Sequence, residues 1–318
     1  MTPRVVTLGT HILDVLGWPV PEIPPGQASV RVEQIRMTAA GTAAGVAVDL
    51  AVLGARVTSI GAVGRDLVGD LLLATMRGHG VDVDAVVRLA GVPTSATILP
   101  IRPGGERPAL HMVGANGAVR LAELDLSPLE RASAVHLGGL DTMAGLDEED
   151  LRELARTARA AGLFVTMDVQ SGAPRADRVL AMLPHVDVFL PNLEQAAVLT
   201  GRSDPVEIGR TLLEAGPGAV VLTMGAEGSL YVSRTECVHT PAFEVDAVDT
   251  TGCGDAFCAA YLRAALAGLD LREVLRRATA AATLVASGLG SDAGLSGWGP
   301  LEEFLAGARV REPTARPL

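Results

Sequence analysis

The chain has 318 residues, 48% hydrophobic and only 3% aromatic, with a formal net charge of −11. That acid excess argues against a protein that grips a nucleic-acid backbone, while a local nest of N–H groups can still take a small anion. All 26 basic residues are arginine, which excludes a Walker P-loop, a protein-kinase strand lysine and a Schiff-base amine.

Cys237, Cys253 and Cys258 lack CxxC spacing, so neither a disulfide framework nor a zinc site is expected. The first nine residues pass straight into a strand without a signal-peptide pattern, and no apolar run reaches the roughly 18 residues of a membrane span. A cytoplasmic protein with no membrane partner is expected.

In chain order, Val5–Leu8 is the first predicted strand, running on to His11-Ile12-Leu13-Asp14. Asp14 is placed just past the strand's carboxyl end, where a carboxylate can accept bonds from two hydroxyls of a polyol or cap a turn. His11 beside it suits a ligand contact or a turn equally. Residues 15–37 leave the pattern with Trp18-Pro19, Pro24-Pro25-Gly26 and an alternating Val30–Ile35 run. Ala40-Gly41-Thr42-Ala43-Ala44-Gly45 leads into a helix over Ala43–Leu53, its small residues admitting either a ligand or close helix–sheet packing.

Val57–Ile60 is the next strand and Leu67–Arg77 the next helix. Residues 92–114 read as a hairpin, Thr94–Ile101 and Arg107–Val113 about a Pro103-Gly104-Gly105 turn. With 15–37 it can form a small β lid over the site, or decorate an edge of the main sheet. Strands at Ala134–Leu137, Phe164–Met167, Val186–Leu190 and Ala219–Leu222 then alternate with helices at Glu149–Ala160, Leu193–Thr200 and Val206–Glu214. His136 reads as a satisfied core residue. Asn192 is a helix cap whose side chain also reaches toward an anion pocket, and Thr223–Gly228 is a backbone turn after a strand. Helices at Asp255–Ala267 and Leu271–Ser287 close the series. Such βαβ alternation predicts an α/β fold, a mostly parallel sheet with ligands at the strands' carboxyl ends. The tail after Ala308 is expected to be poorly ordered.

The densest signal is Asp249-Thr250-Thr251-Gly252-Cys253-Gly254-Asp255, running into an apolar helix. Glycines at 252 and 254 let backbone approach a ligand. The helix start supplies free N–H groups and a positive dipole end, and Asp255 sets a carboxylate at the mouth of that anion pocket. Stabilising negative charge beside a proton acceptor is what phosphoryl transfer to a hydroxyl requires.

On Asp249–Asp255, Gly54–Gly69, Pro191-Asn192 with Thr200-Gly201, and the Thr223–Gly228 turn, the chain resembles the PfkB, or ribokinase-like, family of carbohydrate kinases along nearly its whole length. The resemblance implies a three-layer α/β/α domain over residues 1–310 with the β lid inserted, a tail at 311–318, and ATP-dependent phosphorylation of a primary alcohol. It implies Asp255 as general base, with the N–H groups of Gly252, Cys253 and Gly254 on the transferred phosphoryl. Asp14, Gly41, Gly45 and His11 would lie at the substrate, and Asn192, Gln195, Thr223, Gly225 and Gly228 on the nucleotide side. Mg²⁺ would be held largely through water, and Asp249 and Thr251 would belong to a monovalent-cation (K⁺) loop.

Two positions depart from the family pattern. Gly45 stands where a sugar-binding Asn is usual, and Gln195 where Asn-x-x-Glu has its acid. A nucleoside kinase, or a binding protein of the same fold without turnover, stays open beside a sugar kinase. A dinucleotide oxidoreductase ranks last, since no GxGxxG follows the first strand. Dimerisation through the lid's strand edge is the expected assembly.

Overall fold

A computed structural model describes residues 2–311. The described residues form two sheets. The larger has nine strands: β1 (Arg4–Gly9), β4 (Arg56–Gly64), β5 (Val86–Leu89), β8 (Ala134–Gly138), β9 (Phe164–Met167), β10 (Val188–Phe189), β11 (Ala219–Thr223), β12 (Ser229–Ser233) and β13 (Cys237–Thr240). Their order is β13-β12-β11-β10-β9-β8-β1-β4-β5. Every pairing from β11 to β5 is parallel; the β11–β12 and β12–β13 pairings are antiparallel, so β12 alone runs against the other strands.

The strands are apolar on both faces because both are covered. In β1, Val5 joins one buried cluster while Val6 and Leu8 join the other; in β11, Ala219 and Val221 split from Val220 and Leu222 in the same way. The first cluster is roofed by α1 (Thr42–Val52), α2 (Leu67–Gly78), α8 (Cys253–Leu266), α9 (Leu271–Ala286) and α10 (Trp298–Gly307). The second is roofed by α3 (Gly114–Ala118), α4 (Glu148–Ala160), α5 (Ala176–Met182), α6 (Leu193–Thr200) and α7 (Pro205–Glu214). This is the three-layer α/β/α fold.

The second sheet has the order β3-β2-β6-β7, from β2 (Ile12–Trp18), β3 (Gln34–Ala40), β6 (Ala96–Pro100) and β7 (Leu110–Met112). Its register sorts side chains by the period of two. Asp14 pairs with Thr38 and Thr97, and Thr97 with His111; the next row sets Val15 against Met37 and Ile98, with Leu110 beyond. The polar row holds the buried Asp14, Thr38 and Thr97, whereas Met37, Ile98 and Leu110 are exposed.

Several expectations shift. Val30–Glu33 is not strand: β3 begins only at Gln34, after a proline-rich loop joined to β2 by the Glu33 N–H donating to the Trp18 carbonyl, 3.0 Å. The alternation was real, but that loop has no partner strand along most of its length. Asp14 does not lie past a strand end. The chain leaves β1 at Gly9 and starts β2 at Ile12, so Asp14 is the third residue of a lid strand. The segment after Ala308 is tied down as far as it is described: Val310 bridges Phe243, and Arg311 N–H donates to the Ala242 carbonyl at 2.8 Å. The rest of the expected tail, 312–318, lies outside the described residues.

Candidate active site

Gly252 is the N-cap of α8, with φ +79°, a conformation that favours glycine. A Cβ there would also lie 2.4 Å from the Ser291 Cα. The Asp249 carboxylate holds this turn: Oδ1 accepts from the Thr251 N–H (2.9 Å) and hydroxyl (2.7 Å), and Oδ2 from the Gly290 N–H (3.0 Å). It thereby ties the turn to the 287–291 stretch. Cys253, Gly254 and Asp255 are the first three residues of α8, so their N–H groups have no partner within the helix. The Cys253 thiol is pushed up to about 12 by burial and stays protonated.

Two cavities meet at this turn, sharing Thr223, Thr250 and Gly254. One, about 270 Å³, is walled by apolar groups including Ala242, Phe243, Val245, Phe257 and Ala282, with Gly225 and Gly228 at its edge. It suits a flat heteroaromatic base. The other, about 240 Å³, is polar and receives Asp14, Gly41, Thr42, Arg107, Asp168, Gln170, Asn192, Gln195, Thr251, Gly252 and Asp255. A larger open groove of about 610 Å³ lies at the amino ends of β1 and β4, at Arg4 and Arg56, far from this convergence.

Asp255 faces the polar cavity. Burial raises its carboxyl well above the usual range, the Asp168 and Asp14 carboxylates add to this, and the Arg107 guanidinium opposes it. A base of raised proton affinity is better matched to taking a proton near neutral pH. Asp14 is pushed up to about 6, first by burial, with the Thr97 hydroxyl and Arg107 pulling back.

Two expected substrate residues are placed elsewhere. The His11 ring does not reach the cavity; it is fully buried, Nδ1 2.9 Å from the Gly9 carbonyl and Nε2 2.9 Å from Ser59 Oγ, and burial lowers it to about 4. The Asn116 amide clamps its main chain, accepting from the His11 N–H and donating to the His11 carbonyl, both at 3.0 Å. Gly45 presents no group to a ligand: it is where Asp255 rests on α1, and a Cβ there would lie 2.5 Å from Asp255 Oδ2.

Asn192 and Gln195 do line the cavity, but their polar atoms cap α6. Asn192 Oδ1 accepts from the Gln195 N–H (2.8 Å), and Gln195 Oε1 from the Asn192 N–H (2.9 Å). Gln195 Nε2 also donates to the Val169 carbonyl, 2.9 Å. A carboxylate has no hydrogen to give there, so glutamine rather than glutamate fits this environment.

The sequence reading missed Asp168, Gln170 and Thr42. Asp168 and Gln170 follow the carboxyl end of β9, the one available signal. Thr42 Oγ1 and Gln170 Oε1 are buried without a hydrogen-bond partner, as is Thr38 Oγ1 on the lid.

Residues 3–296 match the pfkB family of carbohydrate kinases. An ATP-dependent ribose-1-phosphate kinase of Halopiger xanaduensis is 33% identical over 265 residues, 82% of this chain and 84% of the relative. Among solved structures, Arabidopsis thaliana ribokinase complexed with ribose and ATP aligns at TM-score 0.79 and 24% identity, over 96% of this chain and 99% of that one. The Methanocaldococcus jannaschii nucleoside kinase aligns at TM-score 0.78 and 19% identity, over 96% and 98%.

Proposed function

This chain belongs to the pfkB family of carbohydrate kinases, and from that premise we propose that it moves the γ-phosphoryl group of ATP onto a primary hydroxyl of a sugar or polyol. The observation that carries the reading is Asp255 in the first turn of α8, where an apolar and a polar cavity share the turn residues. ATP with Mg²⁺ supplies the electrophilic phosphorus. The apolar cavity fits its base, and the amide turn fits its terminal phosphates.

The chain's own groups then divide the work. Asp14, from the lid, accepts hydroxyl hydrogens and fixes the acceptor sugar. Thr42 and Gln170 line the same cavity and add polar groups to its wall. Asp255 takes the proton of the attacking hydroxyl as the oxygen closes on phosphorus. The N–H groups of Gly252, Cys253 and Gly254 stabilise charge on the transferred group. K⁺ at the Asp249–Thr251 loop would steady the turn that Asp249 already braces.

A second reading concerns the acceptor. Arg107 is the one cationic residue among those lining the polar cavity, and its Nη1 lies 3.5 Å from Thr251 Oγ1. Arg107 forms no salt bridge with the carboxylates that line it, so its guanidinium is available to an acceptor that brings its own anion, and the Halopiger relative is named for a sugar phosphate. The exposed row of Met37, Ile98 and Leu110 supports dimerisation through the outer lid face.

The test is ADP formation from Mg-ATP across pentoses, hexoses, sugar phosphates and nucleosides, with and without K⁺. Turnover with a sugar or sugar phosphate that collapses in Asp255→Asn is expected. Turnover with nucleosides alone would transfer the chain to the nucleoside kinases. Nucleotide binding without turnover on any acceptor would mark a binding protein.

A further inference from the structure

Behind the polar cavity, three elements bring unlike ligating groups together. His136 comes from β8, Asp168 follows β9 and Cys258 lies in the second turn of α8. One imidazole nitrogen, one carboxylate oxygen and the thiol sulfur all lie within 4.8 Å of one another, and all three residues are buried. His136 Nε2 has no hydrogen-bond partner, contrary to the satisfied core histidine expected from sequence. Asp168 Oδ2 lies 3.6 Å from it, too long for a hydrogen bond.

We propose that His136 Nε2, Asp168 and Cys258 Sγ form a binding site for a divalent ion of the Zn²⁺ class. The donor set selects the class: one thiolate, one imidazole and one carboxylate suit Zn²⁺ or Co²⁺, whereas Mg²⁺ takes oxygen ligands. The outer shell is built. His136 Nδ1 lies 3.0 Å from Thr166 Oγ1, and the Asp168 Oδ1 atom accepts from the Gly139 N–H at 3.1 Å, so ring and carboxylate are each held from behind. The entry path is the polar cavity, which Asp168 and Cys258 both line. Three protein donors beside a cavity leave room for a fourth, exchangeable ligand, the arrangement of a reactive rather than a closed structural site. Closing three bonds of about 2.0–2.3 Å requires the donors to draw together from their metal-free separation. Binding displaces the Cys258 thiol proton to solvent as the sulfur–metal bond forms.

The consequence rests on the proposed phosphotransfer: a dication beside Asp168, whose carboxylate raises Asp255, would lower the proton affinity of the base. The test reads binding itself, so it stands or falls apart from turnover. The chelator-treated full chain is titrated with Co²⁺ without nucleotide. One equivalent is expected to give a near-ultraviolet thiolate-to-cobalt charge-transfer band and release one proton. Cys258→Ser should abolish the band, His136→Gln should weaken binding at least tenfold, and Cys237→Ser should leave both unchanged. No thiolate band at millimolar Co²⁺, or a band that survives Cys258→Ser, overturns the proposal. Should Cys258→Ser fail to fold, unchanged affinity in a folded His136→Gln protein overturns it equally.

Discussion

Across the polar cavity, the turn at 252–254 offers main-chain N–H groups, whereas the lid offers the side chains of Asp14 from a strand and Arg107 from a loop. The turn's geometry is fixed locally by a left-handed glycine and by Asp249, two residues before Thr251. The lid's polar row exists only because β2, β3 and β6 pair in one register. A backbone site tolerates change in neighbouring side chains. A site assembled by register can change its ligand with single substitutions, so the turn suits the constant part of a reaction and the lid the part that selects an acceptor.

Breaking the turn side should cost most. Asp255→Asn keeps the shape and removes the base, and kcat is expected to fall about 10²–10⁴-fold with little change in nucleotide affinity. Retained turnover would remove Asp255 from the base role. Gly45→Ala is next, because its Cβ must displace the Asp255 carboxylate from a 2.5 Å approach. A loss of about 10²-fold in kcat is expected for an ångström-scale misplacement, with the chain still folded by circular dichroism.

On the lid side, Asp14 gives a signed pH test. With its pKa pushed up to about 6, the free protein's Asp14 is protonated at lower pH and cannot accept both sugar hydroxyls. The kcat/KM for the acceptor should rise as pH increases through about 6, and Asp14→Asn should lower activity and erase that limb. The raised value also means that Asp14 costs stability above pH 6, a cost relieved as pH falls toward 3.8. Asp14→Asn should therefore melt higher than the parent at pH 7, and a lower midpoint would contradict the burial argument. His11 works in the opposite sense. Lowered from 6.5 to about 4, it contributes stability above pH 6.5 that is lost as pH falls through 4, on the order of 3 kcal/mol in full.

The smallest expected effect sharpens the acceptor. Arg107→Gln should raise KM for a sugar phosphate about tenfold or more while leaving that for an uncharged sugar within twofold. Equal effects on both would assign Arg107 to the nucleotide instead.

The alternation of apolar runs was enough to place the parallel core, because both faces are buried and each strand is a short hydrophobic block. The 249–255 turn was legible for a related reason: backbone chemistry leaves a glycine signature. The lid's polar row was not. Asp14 reads as a strand-end residue because nothing local marks the break at Thr10–His11, and its neighbours Thr38 and Thr97 are distant in sequence. Gly45 and Gln195 read as losses when compared with the family pattern. In the structure each answers a specific neighbour, the Asp255 carboxylate and the Val169 carbonyl.

The contact between Gly45 and Asp255 bears on how this sequence can change. Position 45 holds no side chain because the carboxylate of position 255 occupies that space. An asparagine restored at 45 meets that carboxylate first and a sugar only afterwards. The two positions are thus linked: a side chain at 45 becomes admissible only after α1 or α8 has shifted. Glycine at 45 is therefore kept in place by the carboxylate it faces, and changes in what the polar cavity accepts are left to the lid.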